Sequence, residues 1–169
     1  MGVMKLMDRR RQMFPVLKGS WWPLPLRLIV GFGFMQHGWA KLARGPEDFT
    51  NILAALHVPF PALSAWATIL TELIGGFAIF VGAFIPLASI PMAIVLLVAI
   101  VTVHLPYGFS SIKLQTISPE GVAHFGQPGY ETDLLYLAAL AALVLGGAGP
   151  WALSPSALKR FVLTRRQNS

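Results

Sequence analysis

The chain has 169 residues, of which 55% are hydrophobic and 12% are charged, whereas soluble domains carry about 25% charged residues. This composition favours an integral membrane protein. The net charge of +6 does not indicate nucleic-acid binding, because nine of the thirteen lysines and arginines lie at the two ends of the chain. Cysteine is absent, which excludes disulfide relays, thiolate catalysis and cysteine-ligated iron–sulfur clusters within this chain.

Four apolar stretches follow one another, and each can cross the hydrocarbon core of a bilayer, about 30 Å at about 1.5 Å per helical residue. Backbone inside a bilayer must satisfy its own hydrogen bonds, so these stretches are predicted to be helices. The predicted spans are residues 22–42, 61–84, 86–105 and 133–153. The predicted fold is therefore an all-α membrane protein, a four-transmembrane-helix antiparallel bundle.

The positions of the basic residues predict the orientation of this bundle. Basic residues beside a span favour the cytoplasm and contact anionic lipid, and they are concentrated in residues 1–21 and 155–169, which flank the predicted transmembrane domain, 22–154. With both termini inside, the segments 43–60 and 106–132 lie outside, and a tight turn near residues 83–86 lies inside. The expected location is the bacterial cytoplasmic (inner) membrane, with membrane lipid as a partner and no nucleic acid.

Ionisable side chains inside the predicted spans are the main functional signal, because a charge near the bilayer centre costs at least about 2.5–3.5 kcal/mol. Arg27 and Glu72 lie on neighbouring antiparallel helices at depths that differ by roughly 6 Å. We therefore expect them to form an ion pair. Such a pair can fix the register of the helices, relay protons or anchor a ligand, and these roles stay open.

A second group of ionisable residues lies near the outer ends of the spans. His37 and Lys41 share one face of the first helix, His104 ends the third span, and Glu131 precedes the fourth. We expect these side chains to form a pocket for a quinone head group, whose carbonyls accept hydrogen bonds and whose reduction requires protons. The alternative is that they extend to the interface and pack at the helix ends without binding a ligand.

A metal site is the other alternative for this outer group. His37, His104 and Glu131 are ligand types that bind zinc or iron, but neither HxxxH nor HExxH spacing is present, so no metal site is predicted. Nucleotide-binding and nucleophile motifs are also absent. We therefore assign no catalytic residue and no covalently bound cofactor, and we expect a partner to supply any electron-transfer cofactor.

Four sequence blocks occur in the order of a known family pattern. The first helix contains LPLRLIVGFGFMQHGWAKL, with an arginine, a glycine, then HG and KL, and the second contains TELIGGFAIFVGAF, with a glutamate and a double glycine. The later blocks are HLPYGFSSIKLQ and FGQPGYETDLLYLAALAALVLGG. Together, across residues 22–154, they resemble the DoxX family of small membrane proteins.

The resemblance implies a four-helix bundle that is linked to thiosulfate:quinone oxidoreduction, as a small subunit, or to membrane redox complexes in oxidative-stress defence. The matching candidates for binding a quinone are Arg27, His37, Lys41, Glu72, His104 and Glu131. The expected function is a membrane subunit of a quinone-linked redox system, acting as a homo-oligomer or with a redox partner. The alternative is a non-catalytic scaffold or assembly partner of a larger membrane complex. A transporter is disfavoured, because four helices without an internal repeat offer little for alternating access.

Overall fold

The computed structural model describes residues 21–153 of the 169-residue chain. The two predicted basic segments, 1–21 and 155–169, lie outside the described residues except for Trp21, so their boundaries stay predictions. Within the described part, the fold is mostly helical. In chain order, its six α-helices are Pro23–Arg44 (α1), Pro46–Ala55 (α2), Pro61–Leu70 (α3), Gly76–Val81 (α4), Ile85–Ala99 (α5) and Glu131–Gly146 (α6).

In the described part of the chain, two π-helical turns interrupt the long helices. The turn Thr71–Gly75 joins α3 to α4, and the turn Ile100–His104 continues α5 into a 3-10 turn, Leu105–Tyr107. A π-helical turn accommodates one extra residue and is often found at functional sites. Each of the two turns contains one of the ionisable residues that the sequence points to, Glu72 and His104.

Among residues 21–153, two continuous helical rods are long and apolar enough to cross a membrane, Pro61–Val81 with 21 residues and Ile85–Tyr107 with 23. They correspond to the second and third predicted spans. Gly82, at a φ of 74°, ends the first rod just before the tight turn predicted near residues 83–86, and the second rod begins at Ile85. Helix α1 has 22 residues, which is also sufficient in length, at about 33 Å, but its apolar character is reduced by Arg27, Lys41 and Arg44.

Helix α6 differs from the fourth predicted span, 133–153. It begins earlier, at Glu131, and ends after 16 residues at Gly146, so it covers only about 24 Å. Gly147 has a φ of 83° and a ψ of −179°, a positive-φ conformation that glycine adopts readily and that does not continue a helix. Residues 147–153 then return to the bundle, where the Leu153 N–H donates to the Val81 carbonyl at 3.0 Å.

Both predicted outer segments contain secondary structure that the apolar pattern does not indicate. Helix α2 occupies most of the first, and its start combines Pro46 with Glu47 and Asp48 in the first turn, residue types that favour a helix N-terminus. In the second, strands Leu114–Ile117 (β1) and Ala123–Phe125 (β2) pair antiparallel with an irregular register. The prediction of an all-α chain is therefore wrong for this hairpin.

The core lies where α1, α4, α5 and α6 meet. Its buried side chains include Val30, Phe34, Ile79, Met92, Leu140 and Leu143. Helix α1 approaches α4 closely at two glycines, since a Cβ on Gly31 would lie 2.6 Å from the Gly76 carbonyl oxygen. Small residues permit this kind of backbone contact between membrane helices.

Candidate ligand-binding site

A cavity of about 650 Å³ lies among α1, α2, α3, α5 and α6. Its volume falls within the range of about 300–1,000 Å³ that is typical of small-molecule sites. Most of the wall is apolar, with contributions from Phe34, Phe49 and Leu53 among others. The ionisable side chains in the wall are His37, Lys41, Glu72, His104, Asp133 and Tyr136.

Lys41 and Glu72 form an ion pair in this wall. The Lys41 Nζ atom lies 2.7 Å from Oε1 and 2.6 Å from Oε2 of Glu72, and the carboxylate is buried. The ring of Phe49, on α2, lies 5.2 Å from the same ammonium group, within the range of a cation–π contact. The predicted ion pair between Arg27 and Glu72 is therefore wrong, because Lys41 occupies both carboxylate oxygens.

Close packing beside a glycine brings Glu72 to α1. Gly38 lies three residues before Lys41, on the same face of the helix. A Cβ on Gly38 would lie 3.0 Å from the Glu72 Cβ and 2.9 Å from the Leu73 Cγ. The glycine thus leaves room for the π-helical turn against α1, so that the Lys41 side chain reaches the buried carboxylate.

Arg27 lies near the opposite end of α1, outside the cavity wall. Its side chain is buried, and its guanidinium group donates to the carbonyls of Ala148 at 2.7 Å, Pro150 at 3.2 Å and Trp151 at 3.3 Å. These carbonyls follow the end of α6 and have no helical N–H partners. Arg27 therefore stabilises the segment after α6, and its predicted place in a quinone site receives no structural support.

His104 and Asp133 form a second polar pair in the cavity wall. The His104 Nδ1 atom lies 2.5 Å from the Asp133 Oδ2 atom. Asp133 is buried in the first turn of α6, where the helix N-terminus favours a carboxylate. The sequence analysis selected Glu131 and missed Asp133. Both are acidic residues in the first turn of an apolar helix, so the same sequence signal applies to each of them.

The structure places Glu131 away from the cavity. Its Oε2 atom accepts a hydrogen bond from the Ser111 N–H at 3.0 Å. Glu131 therefore stabilises the contact between the start of α6 and the segment that precedes this helix. Residues 131 and 133 point about 200° apart around the helix, at about 100° per residue. Because Asp133 faces the bundle, Glu131 does not join His37, Lys41 and His104.

His37 and Tyr136 lie side by side in the wall, with ring centroids 6.5 Å apart. Tyr136 also contacts Phe34 edge-to-face at 5.3 Å. Neither His37 nor Tyr136 forms a side-chain hydrogen bond with another residue in the range 21–153, and the Tyr136 hydroxyl packs against Gly33 of α1. Within that range, no three His, Asp or Glu side chains come close enough together to hold a metal ion.

Apolar side chains cover much of the outside of the two long rods. Leu63, Ile74 and Leu87 are 65–70% exposed. Exposed apolar surfaces of this kind indicate contact with a membrane or another protein. Together with the length and apolar content of the rods, they favour contact with lipid.

The family model described as DoxX matches residues 22–105, about half of the chain. The match contains Arg27, His37, Lys41, Glu72 and His104 and ends before β1, so the resemblance of the later blocks stays a prediction. No curated protein and no solved structure matched the chain. The matched range includes both rods that can cross a membrane, apart from the last two residues of the second. The chain is therefore a membrane protein that belongs to the DoxX family.

Proposed function

We propose that the chain is an integral membrane subunit of a quinone-linked redox system and that its cavity binds a quinone or a similar lipophilic molecule. The observation that carries this proposal is the composition of the cavity wall. The wall is mostly apolar, and its ionisable side chains are two pairs, Lys41 with Glu72 and His104 with Asp133, together with His37 and Tyr136, which form no side-chain hydrogen bond with residues 21–153. Its hydroxyl side chains are Ser64, Thr68, Thr71, Thr102 and Thr132. This combination suits an apolar molecule with a small polar head.

The pairing of the charges favours a neutral head group. An anionic ligand that used Lys41 would separate it from Glu72, and a cationic ligand that used Asp133 would separate that residue from His104. Leaving one member of a buried pair without its partner typically costs about 3–5 kcal/mol. A neutral carbonyl avoids this cost, because His37 and Tyr136 can donate hydrogen bonds while both pairs stay intact.

The size and wall of the cavity fit the ring and the first part of the tail of such a molecule. Phe34 and Phe49 provide aromatic surface, and Leu53, Val95 and Leu96 provide aliphatic surface. Helix α2 forms one side of the cavity, so this short helix separates the ligand from the aqueous phase. No residue of the chain is assigned to carry electrons, and a partner that bears a redox cofactor is proposed to deliver them.

The proposal includes four membrane spans, formed by α1, the two long rods and α6, in the bacterial cytoplasmic membrane. The basic ends of the chain support cytoplasmic termini. This orientation places the cavity toward the outer leaflet, because the ends of α1 and α5 and the start of α6 contribute to its wall.

A binding measurement with a blocking variant tests the proposal. Ala67 lines the cavity from α3, and Ala67→Phe would fill part of it. Ala62 is exposed on the same helix and does not line the cavity, so Ala62→Phe is the matched control. The full chain in lipid nanodiscs is titrated with a decyl-substituted 1,4-benzoquinone. We expect Ala67→Phe to weaken binding at least about tenfold, about 1.4 kcal/mol, and Ala62→Phe to leave it unchanged.

Two results would contradict quinone binding in this cavity. One is a wild-type chain that does not bind the probe above the level of empty nanodiscs. The other is equal weakening by both phenylalanine variants, since this would place binding elsewhere. If the chain purifies from native membranes with a stoichiometric protein partner and no lipophilic ligand, the scaffold function replaces this proposal.

A further inference from the structure

The hydrogen bond between His104 and Asp133 determines which ring nitrogen of His104 is left for a ligand. An ionised carboxylate can only accept hydrogen bonds, so the Nδ1 atom of His104, 2.5 Å from the Asp133 Oδ2 atom, carries the hydrogen. The other ring nitrogen, Nε2, has no hydrogen-bond partner among residues 21–153. Because His104 lines the cavity, Nε2 is the nitrogen that a molecule in the cavity can contact.

The protonation state of His104 then decides what Nε2 can bind. In the neutral ring with hydrogen on Nδ1, Nε2 has a lone pair and only accepts. In the imidazolium ion, Nε2 carries a hydrogen and only donates. A carbonyl oxygen, which has no hydrogen, bonds to the imidazolium form alone, whereas a hydroxyl group can donate to the neutral form.

We propose that His104 and Asp133 form a proton-exchange pair that is charged when the cavity holds a carbonyl-bearing ligand and has a neutral His104 when it holds the hydroxyl-bearing form. The inference rests on the proposed function and adds the group, His104, whose protonation is coupled to the oxidation state of the ligand. Asp133 is a positioning residue, because it holds the Nδ1 hydrogen and keeps Nε2 available without touching the ligand.

The exchange balances for a two-electron reduction of a 1,4-quinone. Two electrons arrive from a reduced flavin on the partner protein, which becomes oxidised and releases its own protons to the aqueous phase. One ligand oxygen takes the proton from His104 Nε2, so that an N–H bond breaks, an O–H bond forms and the ring becomes neutral. The second ligand oxygen takes a proton from the aqueous phase. Two electrons and two protons thus yield the dihydroxy form, whose new hydroxyl group donates to Nε2.

Other titratable groups also face this pair. A proton taken up by these groups must be distinguished from a proton taken up by His104 and Asp133. Helix α1 contributes His37 and Lys41, the π-helical turn after α3 contributes Glu72, and α6 contributes Tyr136. Lys41 and Glu72 neutralise each other at 2.6 Å. His37 is the remaining histidine in the cavity wall, so variants of His104 and Asp133 are needed to assign a linked proton.

Calorimetry in two buffers with different ionisation enthalpies counts the protons taken up on binding, without any redox partner. The full chain in nanodiscs is titrated with the oxidised decyl-benzoquinone and, separately, with its reduced form, at several pH values from about pH 5 to about pH 9. We expect binding of the oxidised probe to be accompanied by the uptake of more protons than binding of the reduced probe, with a difference that approaches about one proton.

The variants assign this difference to the pair. His104→Gln retains an N–H donor but does not titrate, so the difference should disappear while the affinity stays within about tenfold. Asp133→Asn, which cannot hold His104 in the same way, should diminish the difference. His124→Gln is the matched control, because His124 is exposed on β2 and does not line the cavity, and it should behave as wild type.

The possible outcomes separate the inference from the proposed function. Equal proton uptake with the two forms of the probe, or a difference that persists in His104→Gln, would overturn the proton-exchange role and leave quinone binding intact. Absence of probe binding in the wild type would overturn both. Melting temperatures of the variants establish that they are folded, and if His104→Gln does not fold, a full wild-type difference in Asp133→Asn overturns the inference.

Discussion

The Lys41 ammonium group lies within 2.7 Å of both carboxylate oxygens of Glu72, although these residues are placed at different depths when their positions are counted along ideal helices. The lysine side chain bridges this difference because its four methylene groups can extend along apolar surface while its charge reaches the partner. The pair neutralises the buried Glu72. Arg27, near the other end of α1, does not pair with Glu72 and instead donates to backbone carbonyls that follow α6.

Lys41 and Glu72 should be energetically coupled. Lys41→Met and Glu72→Gln each leave a charge without its partner, and each should lower the free energy of unfolding by up to about 3 kcal/mol. The double variant should lose less than the sum of the two, by at least about 1 kcal/mol. Reversible unfolding in mixed detergent micelles measures all four proteins.

The control is a second double-mutant cycle with Arg27→Met and Glu72→Gln. Arg27 does not contact Glu72, so these effects should add within about 0.5 kcal/mol, as for independent sites. Coupling of Arg27 to Glu72, together with additive effects of Lys41 and Glu72, would restore the ion pair that the sequence favours and contradict the observed one.

Arg27 should be required for the segment that follows α6. Arg27→Lys keeps the charge but replaces a planar group with five donors by a single ammonium group, so it cannot reproduce bonds to Ala148, Pro150 and Trp151 together. We expect a loss of about 1–3 kcal/mol. We also expect faster hydrogen exchange at the Leu153 amide, which donates to the Val81 carbonyl.

Arg44→Lys is the matched control for this change, because Arg44 is exposed at the end of the same helix and should tolerate the change without an effect on Leu153. Hydrogen exchange followed by mass spectrometry reports the segment directly. Unchanged exchange at Leu153 in Arg27→Lys would mean that contacts other than the guanidinium group hold the segment.

The apolar pattern predicts the two long rods well, because Pro61–Val81 and Ile85–Tyr107 are apolar runs that begin near prolines and are separated by a glycine turn. It does not predict the end of α6. Hydrophobicity continues through Trp151 and Leu153, but the backbone leaves the helix at Gly147, where φ is 83°. Hydropathy reports transfer into lipid, whereas the end of this helix depends on a dihedral angle that glycine permits.

The sequence predicts most of the ionisable residues of the candidate site, but it does not predict which of these residues pair with each other. His37, Lys41, His104 and Glu131 are predicted to lie together from their positions near the ends of the helices, and the structure places the first three, but not Glu131, in one cavity wall. Their partners depend on the rotational phase of each helix. The two π-helical turns shift this phase at Glu72 and His104, and the apolar pattern of the sequence does not indicate where an extra residue enters a helix.

The contact between Gly31 and Gly76 should tolerate no added side chain. A Cβ on Gly31 would lie 2.6 Å from both the Gly76 oxygen and the Phe80 nitrogen, which are backbone atoms that cannot rotate away. Gly31→Ala should therefore separate α1 from α4 and lower the free energy of unfolding by about 1–3 kcal/mol. Ala40→Leu, on the exposed side of α1, is the control, and equal melting temperatures for the two variants would show that the helices adjust.

The membrane topology depends on how the chain crosses the bilayer at α6, whose 16 residues cover about 24 Å of a hydrocarbon core of about 30 Å. Irregular backbone at membrane depth is tolerated where it is buried in protein and its polar groups are satisfied. Residues 147–153 meet this condition in part, because Arg27 donates to three of their carbonyls. We therefore expect this segment to complete the fourth crossing.

Reporter fusions after Leu56, Gln115 and Ser169 test that expectation. Alkaline phosphatase is active outside the cytoplasmic membrane and green fluorescent protein is fluorescent inside it, so each site receives both reporters. The first two sites should report the outside and the last the inside, because basic residues beside a span favour the cytoplasm. Fusions at Gln115 and Ser169 that report the same side would show that α6 and its following segment do not cross, and the four-span bundle would then be wrong. Arg27→Met in the Ser169 fusion provides the internal comparison, since loss of its hydrogen bonds should leave the three carbonyls unsatisfied and increase the fraction of molecules with an outside C-terminus.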